Sequence, residues 1–266
     1  MRTKFSQSVS SLLAIFLLAG TTPLMATDQT TTTFKIPPVR IPLDIKDQHV
    51  TIAASGVITL LTKERGLNIL KLQLSADLSD LQQNITEVLS SALDKEDRCG
   101  DHIATQHATL SPVAPASIAV VELHYERWGC AKVFGKQEAR RLVGGNAVMQ
   151  LKFTPAISED NTSLRLVPEV GPIEGDGSLG ELLRSGALGE MLREKIRNAI
   201  LSALQKATDL KATLPPAVQG HATLETAEFQ DGGGGRLLAV LGGEIRVTNE
   251  QIQALSKQLK ERMAGR

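Results

Sequence analysis

The stretch from Ser178 to Pro216 constrains this chain most. It carries an amphipathic helical pattern that runs into Leu214-Pro215-Pro216 and then returns to strand-like sequence. Leu179, Leu182, Leu183, Leu188, Met191, Leu192, Ile196, Ala199, Ile200, Ala203, Leu204 and Ala207 recur three or four residues apart, a spacing that gathers them on one side of a helix. Ser178 followed by Glu181 predicts a capping box at its start. Gly186 and Gly189 weaken the early turns and predict a kink or short break. Such a helix would be roughly 40 Å long at 1.5 Å per residue. A helix this apolar needs a large apolar surface to lie on, and a curved sheet of long strands supplies one.

The flanking sequence reads as strand. Phe34 to Ile45 carries Pro37, Pro38 and Pro42, which predicts an extended edge strand. Val50, Ile52, Ala54, Ile58 and Leu60 alternate with polar residues, as do Leu70, Leu72 and Leu74. Ser79 with Gln82 predicts a second capping box, opening a helix whose stripe is Leu78, Leu81, Ile85, Val88, Leu89, Ala92 and Leu93. Strands are then expected at about 103–110, 117–128, 142–154 and 163–170, and after Pro216 at about 222–229 and 236–247. Asp231 and the four glycines after it join the last two. A phosphate cradle would need a helix directly after the glycines, so a hairpin is the better reading. Thr248 with Gln251 predicts a third capping box and a closing amphipathic helix at about 249–264.

The N-terminus reads as a secretory signal: Arg2 and Lys4, then an apolar run from Leu12 to Ala19 too short to span a bilayer. Cleavage after Ala26 would leave a polar tail over 27–33 and a single domain over 34–266 in an exported, periplasmic protein with no later transmembrane segment. In that oxidising setting Cys99 and Cys130, the only cysteines, are expected to pair. Formal net charge is zero, which gives a nucleic-acid partner no electrostatic support. Aromatics make up only 3% of the chain, so the stacking platforms of sugar sites are scarce.

Sequence motifs for nucleotide, metalloprotease, hydrolase or redox chemistry are absent. His102, His107 and His124 flank the cysteines and would approach one another across a disulfide, yet His124 alternates with Glu122 and Glu126 on a polar strand face. The reading is therefore no metal, no cofactor and no catalytic residue.

Two pieces carry a family likeness: Leu70 to Leu93, where a Leu-x-Leu strand leads into a helix at Leu78-Ser79-Asp80-Leu81, and Leu179 to Val247, where the long helix ends in Leu-Pro before a hairpin. In this order of elements the chain resembles the tubular lipid-binding (TULIP) superfamily, which includes the bactericidal permeability-increasing proteins. The resemblance implies an α+β fold in which a long, highly curved antiparallel sheet wraps a long amphipathic helix and leaves an apolar groove. It implies a non-enzymatic carrier of lipid or another apolar small molecule. Leu188, Met191 and Leu192, just after the glycine break, are the candidate groove residues, and Ile196, Ile200 and Leu204 the core of the helix. The alternatives are a structural or interaction component of the cell envelope, docking a protein partner through its C-terminal helix, and an envelope hydrolase.

Overall fold

The computed structural model of the chain describes residues 32–45, 47–64, 67–97, 99–133, 136–161, 164–184, 186–204, 222–251 and 253. The signal segment, most of the polar tail, Leu214-Pro215-Pro216 and nearly all of the expected C-terminal helix lie outside these residues. Of that helix, only its opening is described. The Thr248–Gln251 box forms there: the Thr248 amide donates to Gln251 Oε1 at 2.8 Å, and the Gln251 amide to Thr248 Oγ1 at 3.2 Å.

Two five-stranded antiparallel sheets make up most of the described residues and include a strongly curled, half-barrel sheet. The first sheet contains β1 (Thr32–Ile45), β2 (Gln48–Glu64), β3 (Leu67–Asp77), β9 (Ala222–Asp231) and β10 (Leu237–Thr248), in the order β1-β2-β3-β10-β9. The proline-bearing β1 takes an edge, where missing donors leave no ladder partner unsatisfied. The second sheet runs in chain order: β4 (Lys95–Glu96), β5 (Asp101–Val113), β6 (Ala116–Val133), β7 (Lys136–Ile157) and β8 (Leu164–Gly175). Two backbone bonds join the sheets at β9. Phe229 N–H donates to Pro115 O at 2.8 Å, and Leu224 N–H to Asn161 O at 2.7 Å. The expected single wrapped sheet is thus divided in two.

The helices also depart from expectation. The helix after β3 is split at Asn84 into α1 (Ser79–Gln83) and α2 (Ile85–Leu93). The Ser79–Gln82 box does not form, because the Ser79 amide and hydroxyl both turn back to Asp77 Oδ1. Gln82 instead bridges the sheets, donating to Leu110 O and Gly235 O and accepting from the Leu237 amide. The long helix is likewise interrupted, into α3 (Gly177–Arg184) and α4 (Ala187–Leu204). Gly186 sits between them at φ 99°, outside the right-handed helical region. α3 starts at Gly177, which places Ser178 inside the first turn rather than at a cap. The 18 described residues of α4 span about 27 Å, and Ala207, the last residue of the expected stripe, lies outside the described residues.

The core follows the strand alternation. Ala119, Val121, Leu123 and Tyr125 on β6 and Ala147, Met149 and Leu151 on β7 are buried on the inner face of the second sheet. Against them pack Ile85, Leu89 and Leu93 of α2, Leu179 and Leu183 of α3, and Leu192, Ile196 and Ile200 of α4. The glycine run forms the expected hairpin turn: Gly233, Gly234 and Gly235 all have positive φ, and Asp231 Oδ1 accepts the Gly233 and Gly235 amides.

Cys99 and Cys130 form a disulfide, with Cα atoms 5.4 Å apart, that fastens the approach to β5 onto β6. It closes a loop with a sequence separation of 31. Replacing both cysteines by serine is expected to lower stability by about 3.5 kcal/mol, through restored freedom of the unfolded chain. Urea unfolding checks this, and an unchanged midpoint would show that the local strand pairing holds the loop without the bridge.

Candidate functional site

An apolar cavity of about 240 Å³ lies between the two sheets beside α2. α2 contributes Ile85, Val88, Leu89 and Ala92, spaced so that one helix face turns to the space. The inner face of the second sheet supplies Leu110, Ser117, Phe153 and Leu166, and the first sheet supplies Ile52, Phe229, Leu237 and Leu241. The described lining contains neither lysine nor arginine. The arrangement can hold a hydrocarbon chain by burial, and Glu228 is the one titratable residue of its described lining.

Of the six helix residues singled out from sequence, Ile200 alone is among the described lining of this cavity. Leu192 and Ile196 are buried in the core, and Leu188 packs against it half-buried. Met191 is half-buried beside a polar surface cleft between α4 and β8, with Glu169, Glu190, Arg193 and Glu194 around it. Leu204 is the last described residue of α4, and its side chain lies outside the described residues. The candidate groove residues are therefore not brought together into one apolar opening. The apolar space is at α2 instead, because α4 lies along β8 and fills the inner face of the curled sheet there.

A buried ionic cluster pins α4 in that place. Asp101, the first residue of β5, is 2% exposed. Its carboxylate accepts hydrogen bonds from the Tyr125 hydroxyl (2.8 Å), from Arg127 Nη1 (2.5 Å) and from Lys195 Nζ on α4. Burial alone would raise the Asp101 carboxyl. The bonds from Lys195, Arg127 and Tyr125 outweigh it and hold the group at about 2, below its ordinary 3.8. Burial, reinforced by the bond to Asp101, pushes the Tyr125 phenol up. Sequence reasoning missed this cluster, yet a signal was present: Arg127 continues the inward series Leu123, Tyr125, and a cation on a buried face needs an acid.

The opposite face of the second sheet carries Glu126. It accepts from Arg141 Nη1 and Trp128 Nε1, both at 2.8 Å, and lies 3.4 Å from His124 Nε2 and 4.0 Å from His102 Nδ1. Bonds from Arg141 and then Trp128 hold its carboxyl at about 2, below the usual 4.5. The His102 ring stacks on Trp128 with centroids 5.4 Å apart, and its Nε2 lies 2.5 Å from Asp97 O. His124 Nδ1 lies 2.9 Å from Asn146 Oδ1. His107 is exposed and paired across the ladder with Glu122. The histidines are thus bound up with strand-face partners, and among the described residues no group of three His, Cys, Asp or Glu is placed to hold a metal ion.

Fold and cavity together define a β-dominated protein of two sheets enclosing helices and an internal apolar space. Comparison with protein families, with curated proteins and with solved structures finds no match. Among the described residues no helix is long and apolar enough to cross a membrane.

Proposed function

We propose that this is a non-enzymatic binder or carrier of a lipid-like apolar molecule, acting after export to the periplasm. The observation that carries the reading is the cavity of about 240 Å³ between sheets and α2, lined almost wholly by hydrocarbon side chains. Binding sites for small apolar ligands are concave, mostly apolar and few per protein, which is the character of this space. Each methylene moved into it from water contributes about 0.8 kcal/mol, so a chain of modest length would bind without a charged anchor. The curled sheet and the helices lying in it support the likeness to the tubular lipid-binding proteins, and the disulfide supports an oxidising compartment.

The test is uptake of N-phenyl-1-naphthylamine, a neutral probe that fluoresces in apolar surroundings, with extraction of natively purified protein for mass spectrometry beside it. Ala92→Phe puts a ring into the cavity from α2. It is expected to reduce probe affinity at least about tenfold, with only a small helix-propensity cost to stability, about 0.5 kcal/mol. Protein that carries no extractable apolar molecule and takes up no probe would end the proposal.

A further inference from the structure

The walls of the apolar cavity come from both sheets and from two helices. Leu89 of α2, Ile200 of α4, Phe153 of β7 and Leu166 of β8 border it, as do Ile52 of β2 and Phe229 of β9. A molecule short enough to lie within these walls has its polar end taken out of water along with its chain. What that end meets decides which molecules can enter.

The one titratable residue of the described lining, Glu228, is an acid. It precedes the buried Phe229 in an extended strand, so the two side chains leave opposite faces of β9. The Glu228 carboxylate accepts from Gln230 Nε2 at 2.6 Å. The described lining holds neither lysine nor arginine, so an anionic head drawn inside meets hydrocarbon on the described walls and at most a like charge. A carboxylate so placed takes up a proton rather than stay charged. An uncharged ester loses far less on leaving water, and burial of its chain offsets the loss.

The size of the space narrows the choice further. About 150 Å³ of apolar cavity accepts benzene, and sites for drug-sized ligands begin at about 300 Å³. At about 240 Å³ the cavity suits one thin chain rather than the two chains of a phospholipid. Resting on the carrier reading, we infer that the cavity selects by charge and by chain number: it takes a single medium-length chain with an uncharged polar end, in preference to a fatty-acid anion or a two-chain phospholipid.

The experiment displaces bound N-phenyl-1-naphthylamine from the full chain with methyl octanoate, octanoate and dioctanoylphosphatidylcholine at pH 6, 7 and 8. The ester differs from octanoate in charge at equal chain length, and its own affinity at each pH reports any change in the protein. It is expected to displace the probe equally well at all three. Octanoate is expected to weaken about tenfold per pH unit, because only its protonated form enters, and to be at least about a hundredfold weaker than the ester at pH 8. The phospholipid is expected to bind at least about tenfold more weakly than the ester. Octanoate that matches the ester at every pH would overturn selection by charge. Phospholipid that displaces the probe as well as the ester does would overturn selection of one chain. Either result leaves the carrier reading standing, whereas failure of both probe and ester to bind would overturn that reading and this inference with it.

Discussion

Ile196→Asp is expected to abolish cooperative folding, while Met191→Asp, five residues earlier on α4, leaves the protein folded. Ile196 is 1% exposed, and Leu192 and Ile200, one turn to either side, are buried with it in the same core. An aspartate there must stay charged without a partner or take up a proton in an apolar site, and either route costs at least about 4 kcal/mol. A domain of this kind is stable by about 5–15 kcal/mol, so a loss of that size is enough to remove the transition or to leave only aggregated protein. Ile196→Ala grades the same site: loss of the buried methyl groups is expected to cost about 2–5 kcal/mol and to lower the melting temperature without abolishing the transition. Met191 borders a polar cleft at the α4–β8 contact, where a carboxylate stays in water beside Arg193. Probe uptake by Met191→Asp is expected to match wild type, because the apolar cavity is lined from α2 and Ile200. Thermal melts and probe binding on the three variants decide this, and a wild-type melt for Ile196→Asp would remove α4 from the core.

The strands were legible because a half-buried strand writes its pattern locally. The alternation of Val143, Ala147, Met149, Leu151 and Phe153 with Asn146, Gln150 and Lys152 needs no knowledge of the partner strand, and β7 follows it. How the two sheets meet was not legible, since it depends on β9 reaching the β5–β6 and β7–β8 turns through backbone bonds that no side-chain pattern records. The helices illustrate a second limit. Ser79-x-x-Gln82 has the letters of a capping box, but Asp77 competes for the Ser79 hydroxyl, and Gln82 finds carbonyls on β5 and in the β9–β10 turn. The break at Gly186 was foreseeable from the residue type. That it would end one helix and start another, and so shift the apolar space from α4 to α2, was set by tertiary packing. A cavity is a property of what fails to fill a space, and single-chain periodicity marks apolar faces without saying how closely they meet. Leu188, Met191 and Leu192 were therefore indistinguishable in sequence from Ile85, Leu89 and Ala92 as candidates for its wall.

Asp101→Ala is expected to cost about 3 kcal/mol or more at neutral pH, since it leaves Tyr125, Arg127 and Lys195 facing a position that no longer accepts their protons. Lys195 and Arg127 are partly exposed and can turn toward water, which keeps the effect at the lower end of what breaking a buried pair produces. Asp101→Asn separates charge from shape, because the amide retains an oxygen toward the cluster but carries no charge. Its expected cost at pH 7 is about 2 kcal/mol, the free energy that corresponds to lowering the carboxyl from 3.8 to about 2. The sign of the pH dependence follows from that direction. The group is depressed in the folded state, so its contribution is complete above the unfolded value near 4 and is lost as pH falls from there through about 2. Wild type is therefore expected to lose its advantage over Asp101→Asn across that acid window, the two urea midpoints converging near pH 2. The variant lacks this component of the acid dependence, so a constant difference between the midpoints from pH 7 down to pH 2 would show that the carboxylate is not what secures α4 to the sheet. Lys195→Met completes the cycle: in the Asp101→Asn background it is expected to cost much less than in wild type, because the charge it answers is already gone.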